Sequence, residues 1–388
     1  MAFVPESEAA PAIPLPAPYA PEALADLAAR FGSPLFIVDC DVIRAQYRRL
    51  AAALPGVDLH YALKPLPLEA VVRVLAEEGA WFDLATNGEV DLVRGVGIAA
   101  ERCIHTHPIK RDSDIRHALD RGVRIFVADN PDEIAKFAPY AGRAELLLRV
   151  SFRNPEAVCD LSRKFGCDPE AALGLVAQAR AIGVTVAGLS FHVGSQARTP
   201  AMHVRALEAC SALVREARLR GLGELGTLDI GGGFPIDYQT EALPIEEFCA
   251  PIRAALGALP PGMRVIAEPG RYICGPAGTV LTSVMGRAFR EKHWWYYLDD
   301  GLYGSFSGQL YDHARYPLAP LRRTGGPLLP SVLAGPTCDS IDVVAEDVLL
   351  PELRAGDRLV GRMMGAYTAA TATDFNFFPR ARILIVNR

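Results

Sequence analysis

The sequence predicts an α/β fold: a (β/α)8 TIM barrel followed by a barrel-like β domain. Three observations predict it. Eight short, apolar, β-rich runs alternate with helical patterns between residues 57 and 268. That stretch of roughly 210 residues is close to the usual size of such a barrel. After Gly270 the helical periodicity fades, and strands broken by Gly, Pro and Asp turns take over. Finally, PLFIVD (34–39) resembles those later strands although it precedes the first barrel run. An open doubly wound sheet is the architecture that alternation alone leaves as the alternative.

Taken in order, the elements divide the chain in three. Residues 1–40 are expected to be an arm and a strand that joins the β domain. The arm, MAFVPESEAAPAIPLPAPYAPE, is rich in Pro and Ala, has no basic region and carries Glu6 and Glu8. It reads as loosely ordered chain and not as a secretory signal. Residues 41–274 make the barrel. Its runs are VDLHYAL (57–63), WFDLA (81–85), RCIHT (102–106), VRIFVA (123–128), ELLLRV (145–150), LSFHV (189–193), TLDI (227–230) and RVIAE (264–268). Between them Leu68, Val71, Val72 and Leu75 fall at i, i+3, i+4 and i+7, and Phe248, Ile252 and Leu256 at i, i+4 and i+8. Residues 275–388 make the β domain, through VLTSVMGRAF, HWWYYLDDG, PSVLAGPTCD, DRLVG and ARILIV.

The bulk properties exclude several classes. Charged residues are 22% of the 388 and the net charge is −5, with no Lys/Arg-rich run, so neither nucleic acid nor an anionic membrane is expected as a partner. No stretch approaches about 18 uninterrupted apolar residues, so no transmembrane helix is expected. Eight cysteines include no C-x-x-C pair, which fits buried free thiols in a reducing cytoplasm. His105 and His107 alternate on one strand face, but no third ligand follows at a recognisable spacing, and no metal is expected.

In such a barrel chemistry sits at the C-terminal ends of the strands. Those ends carry Lys64, Asp83, Arg149, His192, the glycines Gly231, Gly232 and Gly233, and Glu268. Each has a bland reading: a solvated lysine, a core histidine, a tight turn, a rim ion pair. Together they suit one ligand. A partly desolvated lysine is a nucleophile for an aldehyde. The glycines let backbone N–H groups converge on a phosphate, with Ser195 and Arg271 beside them. His192 offers a flat face for a ring, and Glu268 a carboxylate for a ring nitrogen. The ligand is pyridoxal 5'-phosphate.

With these residues in place, the sequence resembles the fold-type III pyridoxal-phosphate decarboxylases of the ornithine/lysine type. The matching motifs are YALK (61–64), FDLATNGE (82–89), SRKFG (162–166), FHVGS (191–195), DIGGGFP (229–235), AEPGRY (267–272), DGLYGSFSGQLYDHA (300–314), GPTCDSID (335–342) and MGAYTAATATDFN (364–376), in family order along nearly the whole chain. The resemblance implies an alanine-racemase-like barrel plus a β domain and a cytoplasmic homodimer with shared active sites. It implies that Lys64 bonds the cofactor, Glu268 pairs with the ring nitrogen and His192 stacks on the ring. Ser195, the three glycines, Arg271 and Tyr367 would hold the phosphate. Asp83 and Glu89 would support the lysine, with Arg149 among the cofactor's neighbours. Cys338 and Asp339 would enter the partner's site, the first to protonate the α-carbon and the second to bind the distal ammonium, with Tyr311 and Asp312 lining that pocket.

The implied reaction is decarboxylation of a basic amino acid, L-ornithine to putrescine ahead of L-lysine to cadaverine, on the way to polyamines. Diaminopimelate ranks third, because CDSID (338–342) replaces the Cys-Glu-Ser-Gly-Asp usual in that group. A racemase, with Tyr303 or Tyr311 as second base, and a non-catalytic regulator are the readings from other classes. One departure stands out: Lys64-Pro65-Leu66-Pro67 replaces the family's Asn-Pro after the lysine.

Overall fold

The computed structural model describes residues 19–153, 161–238, 242–322 and 325–388. They divide into two compact units, Arg44–Ile236 with Ala242–Tyr272, and Met1–Ile43 with Asp237–Glu241 and Ile273–Arg388. The strands are, in order, β1 (Leu35–Asp39), β2 (Val57–Ala62), β3 (Trp81–Leu84), β4 (Cys103–His105), β5 (Ile125–Ala128), β6 (Glu145–Val150), β7 (Thr185–Phe191), β8 (Thr227–Asp229) and β9 (Arg264–Ala267). They continue with β10 (Gly278–Arg290), β11 (His293–Leu298), β12 (Leu318–Pro320), β13 (Leu329–Ala334), β14 (Val343–Leu350), β15 (Arg358–Gly361) and β16 (Arg382–Val386).

In the first unit β2 to β9 run parallel and close into a barrel. Closure is made by β9 pairing back to β2, Val57 opposite Val265 and Leu59 opposite Ala267, which rules out the open sheet. The helical patterns wrap it. In the helix Glu69–Glu77 the buried residues are Ala70, Val71, Val72, Val74 and Leu75. In Ile245–Leu256 they include Phe248 and Ile252. Each such Val, Ile, Leu or Phe side chain contributes about 1.5–3 kcal/mol on burial, so the apolar stripe and not helix propensity holds these segments.

The second unit is an eight-stranded sheet with the order β12-β15-β10-β11-β13-β14. The N-terminal strand β1 joins it, antiparallel to β10 and parallel to β16. Residues 237 and 238 also belong here, and the Tyr238 ring meets Tyr316 edge-on at 5.7 Å.

The structure departs from the sequence reading in several places, among them β12, which was not anticipated, and residues 237 and 238, which were read as part of the barrel. Part of the stretch read as a loose arm is ordered: Tyr19 is buried and Pro21–Phe31 is a helix with Leu24, Leu27 and Ala28 inside. Residues 1–18 lie outside the described residues. Strand β7 starts at Thr185 and stops at Phe191, so His192 stands just past the strand. Strand β14 was not anticipated, because Glu346 and Asp347 break its alternation, and Asp347 has φ +53°. Among the described residues no helix is long and apolar enough to cross a membrane.

Candidate active site

The barrel mouth gathers the strand-end residues into three groups. The first surrounds Lys64. Its ammonium lies 3.6 Å from Asp83 Oδ2, with 41% of the lysine side chain exposed and 2% of the aspartate. Asp83 is held from its other side by the Thr106 hydroxyl. The Lys64-Pro65-Leu66-Pro67 departure folds as a compact turn: Leu66 N–H donates to the Leu63 carbonyl at 3.0 Å, and the Tyr61 hydroxyl to the Leu66 carbonyl at 3.1 Å. Pro65 packs so closely on Gly270 that a Cβ there would stand 2.8 Å from the proline ring. Glu89 is fixed by its helix. Thr86 caps Asn87–Gly95, and Glu89 reaches back to accept from the Thr86 and Ala85 N–H groups. Burial and the nearby Asp83 raise its carboxyl above the usual range.

The second group is an anion cradle. Gly231 has φ +66° and Gly233 φ +95°. A Cβ on Gly231 would meet the Phe191 carbonyl at 2.3 Å, and one on Gly232 the Glu268 carbonyl at 2.8 Å. Gly231 N–H donates to Asp229 Oδ1 at 2.9 Å. The N–H groups of Gly232 and Gly233 have no acceptor among the described residues. The Arg271 guanidinium donates to the Ser195 hydroxyl at 3.2 and 3.3 Å. Two unspent amides, a hydroxyl and a cation in a cradle without room for side chains suit a phosphate.

The third group is ring-sized. The Gly194 N–H donates to His192 Nδ1 at 3.0 Å, which leaves the proton of a neutral imidazole on Nε2. Burial first, then the Arg149 and Lys64 charges, pull the His192 pKa well below its ordinary value. Arg149 itself is stacked over Phe165, 5.5 Å from the ring centre. Glu268 is only 8% exposed. Burial and the neighbouring Asp229 and Asp83 carboxylates raise its pKa well above the ordinary range. A buried carboxyl in this place suits a basic ring nitrogen, which it can meet by a charge-assisted hydrogen bond. Aldehyde, ring and phosphate thus each find groups that fit them, and pyridoxal phosphate fits this mouth.

Asp229 and Thr106 escaped the sequence reading. Asp229 was visible two residues ahead of the glycines, where a carboxylate can cap the turn. Thr106 had no such signal.

Cys338, Asp339, Tyr311, Asp312 and Tyr367 belong to the sheet unit. Asp339 Oδ2 accepts from the Tyr303 hydroxyl, and this bond holds the carboxyl below its usual range and pushes the phenol up to about 12. Cys338 is exposed. Tyr311 is 61% exposed on the short helix Gly308–Asp312. Tyr367 has φ +56°, and its carbonyl accepts from Thr371 Oγ1 at 3.0 Å. Buried Asp342 ties the loops together: Oδ1 takes the Leu302 N–H at 2.7 Å, and Oδ2 the Thr337 N–H and hydroxyl at 3.0 and 2.7 Å.

A Gly231→Ala protein is expected to fold, by circular dichroism, yet to need at least about fivefold more cofactor for half-saturation in an absorbance titration. The left-handed φ and the blocked Cβ direction force the cradle open, at roughly 1–3 kcal/mol.

Comparison with known proteins adds three findings. Residues 40–275 match the family described as pyridoxal-dependent decarboxylase, pyridoxal binding domain. A lysine/ornithine decarboxylase of Selenomonas ruminantium is 38% identical over 360 residues, covering 92% of this chain and 91% of that protein. Crystal structures of a lysine/ornithine decarboxylase from Vibrio vulnificus are similar too. The putrescine complex is 54% identical, with TM-score 0.91 and coverage of 96% and 99% of the two chains. The cadaverine complex is 55% identical, with TM-score 0.91 and coverage of 95% and 96%.

Proposed function

The chain belongs to the pyridoxal-dependent decarboxylases of the ornithine and lysine type, and from that premise we propose that it removes CO2 from L-ornithine first and L-lysine second. The observation that carries the substrate reading is Asp339. Its Tyr303 hydrogen bond keeps the carboxyl ionised, next in sequence to an exposed thiol, so it can meet the distal ammonium of a basic amino acid.

Pyridoxal phosphate, when bound, supplies an electron-withdrawing ring that absorbs the electron pair left as CO2 departs. The remaining roles fall to the chain. Lys64 holds the cofactor through its amine, with Asp83 steadying the ammonium. Gly232, Gly233, Ser195 and Arg271 anchor the phosphate, and Tyr367 is assigned to the same end. Glu268 keeps a proton at the ring nitrogen. Neutral His192 covers the ring face, where an imidazolium would repel a protonated ring. Cys338 returns a proton to the α-carbon from its thiol.

We assign Cys338, Asp339, Tyr311 and Asp312 to the partner's site in a homodimer. Around Cys338 in the sequence motifs, Tyr311, Ile341, Phe375 and Phe377 are 61%, 52%, 42% and 94% exposed, an apolar surface that a second copy would cover. A reducing cytoplasm is the matching compartment, because six of the seven described cysteines are buried free thiols.

A side-by-side assay of CO2 release tests the substrate order. Ornithine is expected to give the highest kcat/KM and lysine to follow within about 200-fold, the span one methylene supports. Diaminopimelate should release little. Racemisation without CO2 would defeat the decarboxylase reading.

A further inference from the structure

Three loops of the sheet unit converge on the substrate-side residues: 299–305 with Tyr303, 335–342 with Cys338 and Asp339, and 371–378. The third carries no residue assigned a part in the chemistry so far, yet it touches both of the others. Thr373 N–H donates to the Tyr303 carbonyl at 2.8 Å. The Phe375 ring stacks on Tyr303 at 4.5 Å. The Asn376 side-chain carbonyl accepts the Cys338 N–H at 3.0 Å. The middle of the loop is tied to the chain beyond it by Arg380, which grips Asp374 at 2.7 and 3.0 Å.

From this geometry we infer that Asn376 is a positioning residue that aims the Cys338 thiol; the inference rests on the reading of Cys338 as proton donor. The thiol is exposed, so the backbone that carries it sets the arc within which it can reach. The rest of that backbone is held from within its own loop, Thr337 by Asp342 and Ile341 by Asp339. Asn376 ties Cys338 itself to a different loop. It does so from a left-handed backbone, φ +54° and ψ 12°, which asparagine tolerates better than most residues. The site therefore asks two things of position 376: a left-handed conformation and a short side-chain acceptor. Aspartate meets both and glycine only the first.

The step at stake balances simply. When the bond to CO2 breaks, its electron pair stays with the substrate's α-carbon. The Cys338 S–H bond breaks, a C–H bond forms with that pair, and the thiolate takes a proton back from solvent. A misaimed thiol leaves the proton to be delivered on the cofactor side instead. The amino group then stays on the cofactor, and water releases the substrate carbon skeleton as an aldehyde.

The test compares Asn376→Gly, Asn376→Asp, Cys338→Ala and the double variant as cofactor-loaded enzymes. Asn376→Gly is expected to keep the cofactor absorbance, to lower kcat between about 10- and 100-fold, and to raise the aldehyde share of product at least about fivefold. Its Cys338 alkylation rate with iodoacetamide, mapped by mass spectrometry, should change more than about threefold while Asn376→Asp stays near the parent in all three readouts. On a Cys338→Ala background, Asn376→Gly should add nothing. If Cys338→Ala itself leaves product fidelity intact, the reading of Cys338 falls and the inference with it. If Cys338→Ala misdirects the proton but Asn376→Gly changes neither fidelity nor alkylation, or if the double variant is worse than Cys338→Ala, the inference alone is overturned.

Discussion

Replacing Lys64 by alanine is expected to give a folded protein without the visible absorbance band of bound pyridoxal phosphate, and to cut CO2 release at least about 1,000-fold. The barrel should survive, because the Lys64 side chain is 41% exposed and the turn around it is held by Leu63, Leu66 and Tyr61. What goes is the amine that stands 3.6 Å from the buried Asp83 carboxylate. Mixing Lys64→Ala with Cys338→Ala protein then tests the shared site. If each active site draws Lys64 from one copy and Cys338 from the other, random reassortment makes half the dimers hybrid, each with one intact site. Activity should return to about a quarter of the parent level. No recovery on mixing would place both residues in the same copy's site.

The second large effect is expected at Glu268. Glu268→Gln conserves shape and hydrogen bonding but removes the proton that the buried carboxyl shares. The ring nitrogen then loses the group that keeps it charged, and kcat should fall by about 100- to 10,000-fold with cofactor still bound. Burial and the Asp229 and Asp83 carboxylates raise the Glu268 carboxyl above its ordinary range, which moves its loss of a proton to higher pH than an exposed glutamate's. The loaded variant should therefore also lose whatever inflection Glu268 gives the parent's pH–rate profile, an inflection displaced upward from the usual carboxylate range. A kcat within tenfold of the parent would remove Glu268 from the ring nitrogen.

Much of this was legible in the sequence. The eight β runs and the stripe Leu68, Val71, Val72 and Leu75 announced the barrel, because a parallel sheet buried on both faces must be written in unbroken apolar runs. Lys64, His192, the glycines and Glu268 stood at strand ends, where position implies convergence. What the sequence hid was tertiary. Asp229 acquires its meaning from Glu268 across a strand pair, and Thr106 from Asp83 on a neighbouring strand. Asn376 meets Cys338 only because two loops of one sheet fold together. The helix Pro21–Phe31 was masked by the proline-rich composition around it, since one proline at a first turn starts a helix as readily as it ends one. Strand β14 was masked by two exposed acids at its middle.

The seam formed by β1, β10 and β16 has a consequence for how the chain is born. The barrel unit needs nothing beyond Tyr272, so it can finish while the ribosome is still adding residues. The sheet unit cannot: Phe36 and Ile37, synthesised early, must wait for Ile383 and Leu384 as neighbours. Until then β1 is an apolar edge without its parallel partner, the kind of edge that invites the wrong strand. The nascent protein is thus most exposed to misassembly late in synthesis, and its vulnerable stretch is the first strand it made.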